Sequence, residues 1–277
     1  MKKGLELIEE IDNSVLEPGN VDFWWLGQMG QVIKLGDVVV YIDAFLSEWP
    51  NRNYPSLLKP EEITNADFIL GTHDHADHID RDVWKQLSIS SPNSVFVVPK
   101  CLIKSLSKDL DIPEDRFYGL NDDLSMVKNG IKISAIPSAH EFLDMDPVTR
   151  NYPYLGYIIE GNGCILYHSG DSCIYEGMYQ RLRAFGNIDV MFLPINGRDA
   201  KRYRNNIIGN MTYQEAADYA GVIKPGIVVP GHYDMFNSNS EDPRLFTDYV
   251  EVKYPDMKYW IGNRGEMVLY RRVEPIL

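Results

Sequence analysis

The sequence is poor in cysteine, in basic residues and in long apolar runs. Its three cysteines, Cys101, Cys164 and Cys173, are odd in number and lack metal-finger spacing, so we expect reduced thiols and no disulfide framework. The longest apolar runs, such as VVVYI at 38–42, have the length of a strand and are too short to cross a bilayer. Acidic residues interrupt the opening stretch MKKGLELIEEIDNSV, which therefore does not match a secretory signal. We expect a cytoplasmic protein without a membrane partner.

The chain has few basic residues for its acidic content. Lys and Arg together number 27 against 40 Asp and Glu, which gives a formal net charge of −13. Because such a chain repels nucleic-acid backbones at long range, we expect no nucleic-acid partner. The sequence also has no internal repeat and no Pro/Gly/Ser-rich linker, and its 44% hydrophobic content suits a packed core. We therefore predict a single domain over residues 1–277.

Apolar, β-branched runs alternate with turn signals along the whole chain. The runs that predict strands span residues 21–27, 31–35, 38–43, 66–72, 94–99, 131–138, 155–160, 164–170, 188–195 and 226–232. Two further strands are predicted at the C-terminal end of the chain. Helices are predicted at 81–87, at 100–110, near 243–252, and from the capping box of Thr212 and Glu215 to about residue 223. Strands with helices between them, repeated in two halves, predict stacked sheets with helices outside.

Half of the six histidines fall in one short stretch, GTHDHADHID at 71–80, which contains the spacing H-x-H-x-D-H. The ligand-capable side chains that directly follow predicted strands are His73, His75, Asp77, His78, His140, Asp171 and His232. Loops at strand ends let a rigid scaffold aim polar groups at one point, and imidazole with carboxylate suits Zn²⁺, Mn²⁺ or Fe²⁺. The spacing predicts a two-metal hydrolytic site. The competing interpretation is a solvated loop with adventitious metal affinity.

This ordered series resembles the metallo-β-lactamase superfamily, whose αββα sandwich carries the H-x-H-x-D-H run followed by a later His, Asp and His. The resemblance implies an α/β fold (α+β in some schemes) and two divalent metal ions, Zn²⁺ or Mn²⁺ with Fe²⁺ as a further choice. It assigns the first metal to His73, His75 and His140. It assigns the second metal to Asp77, His78 and His232, with Asp171 as a bridge. Asp43 matches an early Asp of the superfamily that steadies the ligand loop.

Four stretches resemble one branch of that superfamily, the L-ascorbate-6-phosphate lactonases. They are FWWLGQMG (23–30), THDHADHID (72–80), YHSGDS (167–172) and VVPGHYDMF (228–236). This resemblance implies that water activated by the metals attacks the ester carbonyl of a phosphorylated sugar lactone. Asp77 or Asp171 would orient that water and move its proton. Two alternatives stay open: a phosphodiesterase with the same metals, and a metal-binding protein without catalysis.

A basic segment, NGRDAKRYRNN at 196–206, follows the predicted strand at 188–195 in this acidic chain. Because arginine offers a bidentate fork to phosphate or carboxylate, we expect Arg198 and Arg202, with Asn196, to bind a small anionic substrate. A solvated basic loop is the alternative interpretation.

Three further residues are candidates for supporting roles. His168, three positions before Asp171, is expected to have a structural role, with steadying of the ligands as the alternative. Asn210 and Tyr233 are further candidates for substrate binding. A homo-oligomer is compatible with a metabolic enzyme of this type, but no residue argues for one.

Overall fold

The computed structural model describes residues 1–272, and its strands form two sheets. The strands of the first sheet are β1 (Asn20–Gly27), β2 (Gly30–Leu35), β3 (Val38–Ile42), β4 (Phe68–Leu70), β5 (Val95–Pro99), β6 (Phe117–Leu120) and β13 (Met267–Arg271). The strands of the second sheet are β7 (Ser125–Lys128), β8 (Ile131–Pro137), β9 (Leu155–Gly161), β10 (Cys164–His168), β11 (Val190–Pro194) and β12 (Ile227–Gly231). Residues 273–277 of the predicted domain lie outside the described residues.

Strand pairing changes from antiparallel to parallel within each sheet. The first sheet has the order β13-β1-β2-β3-β4-β5-β6, and its pairs are parallel from β3 to β6. The second has the order β12-β11-β10-β9-β8-β7, and its pairs are parallel from β10 to β12. Because parallel strands end at the same edge of a sheet, the loops after β3 and β4 leave the first sheet together. The loops after β10, β11 and β12 likewise leave the second sheet together.

Helices cover the outer faces of both sheets. The helices are α1 (Leu5–Asn13), α2 (Arg81–Ser90), α3 (Ile103–Leu110), α4 (Met178–Arg183), α5 (Ala200–Arg204), α6 (Tyr213–Ile223) and α7 (Pro243–Lys253). Apolar side chains of α1, α2 and α3 share a buried cluster with the outer face of the first sheet. Those of α4, α6 and α7 pack in the same way on the second sheet. The four layers confirm the predicted αββα sandwich.

The core between the sheets explains why these strands read as continuous apolar runs. Phe23 and Phe68 of the first sheet and Tyr157 and Phe192 of the second are fully or almost fully buried in one cluster. Phe23 meets Phe192 edge to face, with ring centroids 5.4 Å apart. Burying such a side chain contributes about 1.5–3 kcal/mol relative to leaving it exposed. Strands covered on both faces need apolar residues at successive positions, not at alternate ones.

The predicted helices and strands are present with ends shifted by a few residues, except that residues 254–272 contain one of the two predicted terminal strands, β13. The structure also adds elements that the sequence did not predict. The capping box at the start of α6 is confirmed, because Thr212 Oγ1 accepts from the Glu215 backbone N–H and Glu215 accepts from that of Thr212. The added elements are α1, α4, α5, β6 and β7. Strand β7 lies at a sheet edge and buries a single residue, Met126, so its apolar pattern is weak.

No helix within residues 1–272 combines the length and the apolar composition that a bilayer-spanning helix requires.

Candidate metal centre and cleft

The seven predicted ligand side chains come from loops that follow strand ends on both sheets. The turn after β4 supplies four of them, and it is closed by backbone hydrogen bonds from His75 to His73 and from His78 to His75, each 3.0 Å long. The loops after β8, β10 and β12 supply His140, Asp171 and His232. The structure therefore brings together groups that are up to 159 residues apart in sequence, from His73 to His232.

The first set of donors consists of three imidazoles. The ligand atoms of His73, His75 and His140 lie within 4.8 Å of one another. His73 Nε2 is 2.9 Å from His75 Nδ1, so two ring nitrogens face each other. His140 Nδ1 lies 3.2 Å from the carbonyl oxygen of Gly209, and donation to that acceptor leaves Nε2 as the ligand atom. Three converging imidazole nitrogens are a donor set suited to a transition metal.

The second set lies beside the first. Asp77, His78 and His232 again offer ligand atoms within 4.8 Å of one another. Asp77 Oδ2 is 3.5 Å from His232 Nε2 and 3.8 Å from His78 Nε2.

Asp171 lies between the two sets. Its Oδ2 is 3.0 Å from His232 Nε2 and 3.6 Å from His140 Nε2, and its Oδ1 is 3.4 Å from His78 Nε2. One carboxylate therefore reaches imidazoles of both sets, which is the position that a bridging ligand needs.

Two buried atoms in this cluster test whether a cation fits. His78 Nε2 and Asp171 Oδ1 have no hydrogen-bond partner, although both are inaccessible to solvent. A buried acceptor without a partner costs about 1–3 kcal/mol, and a divalent cation between the two atoms would remove that cost. The donors are imidazoles and carboxylates, the chemistry that Zn²⁺, Mn²⁺ and Fe²⁺ prefer. The residues present therefore fit a metal centre.

Burial and neighbouring charges shift the pKa values of these groups in opposite directions. Burial lowers the pKa of His73 well below its usual value and that of His140 to about 4. Burial also opposes the charged form of His78, but the carboxylates around it, Asp171 first, raise its pKa well above the usual value. Burial alone would raise the pKa of Asp171, yet His232 and His78 hold it well below its usual range. His73 and His140 are thus neutral at pH 7, the form that binds metals.

Asp43 and Thr72 fix the imidazoles from behind. Asp43 is fully buried and has a left-handed backbone, with φ 47°. Its Oδ2 is 2.7 Å from His78 Nδ1, and its two oxygens accept the backbone N–H and the hydroxyl of Thr72 at 2.9 and 2.8 Å. The Thr72 hydroxyl also lies 3.0 Å from His73 Nδ1. These contacts orient both rings with their Nε2 atoms toward the cluster. Sequence reasoning singled out Asp43 but missed Thr72.

His168 lies beneath the cluster and belongs to neither set. It is fully buried, its Nε2 is 2.8 Å from the carbonyl oxygen of Met29, and its Nδ1 accepts the backbone N–H of Gly170. Its Nδ1 is 3.9 Å from Asp43 Oδ2. The ring therefore ties the β1–β2 turn to the loop that carries Asp171, which is a structural role.

Two amide side chains hold the two carboxylates. Gln28 donates from Nε2 to Asp77 Oδ2 at 3.0 Å, and Asn210 donates from Nδ2 to Asp171 Oδ2 at 2.8 Å. Both amides are buried, at 1% exposure each. The sequence predicts Asn210 as a substrate-binding residue, whereas it gives no prediction for Gln28. Gln28 directly follows the glycine that ends β1 in FWWLGQMG, and a polar side chain at such a strand end was the sequence feature that could have identified it.

The basic segment turns its arginines toward protein partners. Arg198 makes a bidentate pair with Glu215, at 2.6 and 2.7 Å, and donates to the carbonyl oxygen of Asn210. Arg202 pairs with Asp199 and donates to Asn239 Oδ1 at 3.2 Å. The structure thus places both guanidinium groups beside acceptors of this chain.

The other two candidates for substrate binding are also engaged inside the protein. Asn196 is fully buried and links Asn210 to Asn239 through hydrogen bonds of 3.1 and 2.9 Å. Tyr233 packs against Trp25, with ring centroids 5.2 Å apart, and is 6% exposed.

The cluster forms the floor of a cleft of about 480 Å³. The floor residues that line it are His75, Ala76, Asp77, His140, Asp171 and His232. The wall residues are Trp49, Asn51, Asn206, Ile207, Ile208, Phe236, Ser238 and Asn239. Among the residues that the structure describes, no lysine or arginine lines this cleft. Its walls are therefore neutral, with apolar side chains and uncharged amides.

Comparison with known proteins relates this chain to a family of metal-dependent hydrolases. A family model described as the β-lactamase superfamily domain matches residues 39–233, a range that contains all seven ligand-capable side chains. A UPF0173 metal-dependent hydrolase of Archaeoglobus fulgidus is 30% identical over 247 residues, which cover 87% of this chain and 96% of that protein. A UPF0173 metal-dependent hydrolase of Caldivirga maquilingensis is 26% identical over 254 residues, covering 88% and 96% of the two chains.

A solved structure gives the corresponding likeness in three dimensions. Igni18, a metallo hydrolase from Ignicoccus hospitalis, has a TM-score of 0.71 at 23% sequence identity, covering 92% of this chain and 100% of its own. At that identity the likeness is one of fold.

Proposed function

Because this chain belongs to the UPF0173 metal-dependent hydrolases of the metallo-β-lactamase superfamily, we propose that it hydrolyses an uncharged ester, with a lactone as the substrate. The cleft carries this proposal. Its floor is the His/Asp cluster, and its walls are neutral among the described residues. An anionic group held away from the metal centre would bring a negative charge that these walls do not pair, whereas an uncharged ester brings none.

The proposed cofactor is a pair of divalent ions, with Zn²⁺ or Mn²⁺ ahead of Fe²⁺. His73, His75 and His140 would hold one ion. Asp77, His78 and His232 would hold the other, and Asp171 would contact both. When bound, such ions lower the pKa of coordinated water toward ~7 and polarise an ester carbonyl.

The two carboxylates have different surroundings and receive different roles in the proposal. Asp171 is 3% exposed and faces imidazoles of both sets, so it positions the donors. The Asp77 side chain keeps 22% exposure and lines the cleft. Because Gln28 holds Asp77 Oδ2, we assign Oδ1 to accept a proton from the attacking water and return it to the leaving alkoxide. In a lactone that alkoxide stays tethered to the new carboxylate, so both product groups leave together.

The sequence resemblance implies a phosphorylated sugar lactone, which carries a negative charge in addition to its ester bond. Its phosphate would need a cation, and Arg202 lies one hydrogen bond behind the cleft wall, at Asn239. The charge of Arg202 already has a partner in Asp199, and that of Arg198 has one in Glu215. We therefore propose an uncharged lactone ahead of a phosphorylated one.

The test compares three substrates on the full chain reconstituted separately with Zn²⁺ and Mn²⁺. The substrates are γ-butyrolactone, L-ascorbate 6-phosphate and bis(p-nitrophenyl) phosphate, with acid release or p-nitrophenolate as the signal. The expected result is metal-dependent opening of the uncharged lactone, with the Asp77→Asn variant at least 100-fold slower. Cleavage of the phosphodiester with both lactones untouched would reject the proposal. Preference for the phosphorylated lactone would restore the role expected for Arg198 and Arg202.

A further inference from the structure

Two aromatic side chains form one wall of the cleft. Trp49 and Phe236 both line it, with ring centroids 6.5 Å apart. Trp49 is 43% exposed, a large apolar surface that faces solvent beside the His/Asp cluster. Phe45, which is buried, packs behind both rings, with its centroid 5.2 Å from Trp49 and 6.3 Å from Phe236. We call Trp49 and Phe236 the aromatic wall.

The aromatic wall is tied to the turn that carries the histidines. Phe45 has the Arg52 guanidinium over its ring, 4.9 Å from the centroid, and Arg52 also donates to the carbonyl oxygen of Ser47. Asp80, two residues after His78, accepts the backbone N–H and the hydroxyl of Ser47 at 2.8 and 2.5 Å. These contacts fix the segment that carries Trp49 relative to the metal-binding turn, so the wall is a formed surface and not a loose loop.

The remaining wall residues are also uncharged. Ile207 and Ile208 line it together with the aromatic wall, and Asn206 and Asn239 add uncharged amides. The whole chain carries a net charge of −13, which repels anions at long range. Surfaces of this kind bind apolar groups through the area that they remove from water.

We propose that the aromatic wall binds an uncharged aliphatic or aromatic substituent of the substrate and so selects lactones that carry one. This inference rests on the proposed ester hydrolysis and narrows its substrate class. The scissile carbonyl would lie over the His/Asp floor, and the substituent would lie against Trp49 and Phe236. Each buried methylene group is worth about 0.8 kcal/mol, so kcat/KM should rise about fourfold per methylene until the wall is covered.

The experiment measures this chain-length dependence in two ways on the metal-reconstituted full chain. The first readout is kcat/KM for γ-lactones from γ-butyrolactone to γ-decalactone. The second is the Kd, from calorimetry, of γ-lactams with the same alkyl chains, which resist hydrolysis and need no turnover. The variants are Trp49→Ala and Phe236→Ala, which lie on different segments, so a folding defect in one leaves the other informative. Tyr118→Ala is the control, because Tyr118 is 42% exposed and lies outside the cleft.

In the expected result the lactones and the lactams both gain about fourfold per methylene. The two wall variants should reduce that gain below about twofold, while the control keeps it. Lactams that bind with this dependence, together with lactones that are not hydrolysed, would support the wall and reject the proposed function. Lactone hydrolysis that does not depend on alkyl-chain length would contradict binding of the substituent by the aromatic wall. The same holds if both wall variants keep the wild-type dependence on chain length. Either result would leave the proposed ester hydrolysis intact.

Discussion

The Gln28 side chain donates to Asp77 Oδ2 across 3.0 Å, from a residue whose backbone lies in the left-handed region with φ 52°. The carbonyl oxygen of Gln28 accepts the indole N–H of Trp25 at 2.9 Å and the backbone N–H of His232 at 3.0 Å. Gln28 thus fixes both the Asp77 carboxylate and the loop that carries His232, and these two residues belong to the second donor set. Partners of this kind commonly change metal affinity 10- to 100-fold when they are removed.

Shortening the Gln28 side chain should therefore weaken metal binding by the second donor set. We expect Gln28→Asn to lower metal affinity about 10- to 100-fold, because the shorter side chain cannot reach Asp77. Asparagine tolerates the left-handed backbone, so the metal-free protein should melt near the wild-type temperature. Competition with a chromophoric chelator gives the affinity. Unchanged affinity would show that Asp77 needs no support from Gln28.

The position of Asp171 between the donor sets predicts how metal stoichiometry responds to mutation. Asp171→Ala should lower the affinity of both sites, because the carboxylate lies within 3.6 Å of imidazoles from each. His75→Ala should remove one ion and leave the other, since His75 belongs to a single set. Elemental analysis after dialysis at a fixed free metal concentration measures both. A loss of one ion from Asp171→Ala alone, with none from His75→Ala, would contradict the two-set arrangement.

The Thr72 hydroxyl predicts a stability effect separate from metal binding. Thr72→Val keeps the shape but removes a donor to the buried carboxylate of Asp43, which should cost about 1–3 kcal/mol of unfolding free energy. Thr72→Ser keeps the hydroxyl and should lose less. Urea denaturation of the metal-free protein measures both variants. A serine variant less stable than the valine variant would assign the main effect to the methyl group.

The pair of Arg198 and Glu215 predicts a pH-dependent contribution to stability. Burial raises the pKa of Glu215, but hydrogen bonds from Arg198 and Thr212 outweigh it and leave the pKa below its usual value of 4.5. A depressed carboxyl pKa contributes stability above the unfolded value, and that contribution is lost as the pH falls through the folded pKa. Arg198→Ala should therefore destabilise the fold by about 1 kcal/mol at pH 7, since both side chains are about 30% exposed. The difference from wild type should shrink below pH 4.5.

The same variant tests the role expected for Arg198 in substrate binding. With the guanidinium engaged by Glu215, Arg198→Ala should leave KM for an uncharged lactone within about twofold of wild type. A tenfold rise in KM for L-ascorbate 6-phosphate would show that Arg198 does reach an anionic substrate. Stopped assays on a concentration series of each lactone separate the two results.

The strands and the ligand series were predictable because their signals are local. A buried strand is recognisable as a continuous apolar run, as in VVVYI. The turn after β4 carries four of the predicted metal ligands within six residues. The basic segment shows the limit of such signals. Four cations within seven residues resemble an anion site, but the partner of Arg198 is Glu215, 17 positions later, at the start of a helix.

The sequence by itself determined the sandwich class and the identity and order of the groups that could hold metal, because periodicity, turn chemistry and motif spacing depend on neighbours along the chain. Only the tertiary structure decided which groups touch. The contact of Gln28 with Asp77 and the aromatic wall of Trp49 and Phe236 join residues 49 and 187 positions apart. Such contacts depend on how two sheets stack and where their parallel strands end, and no local pattern records either.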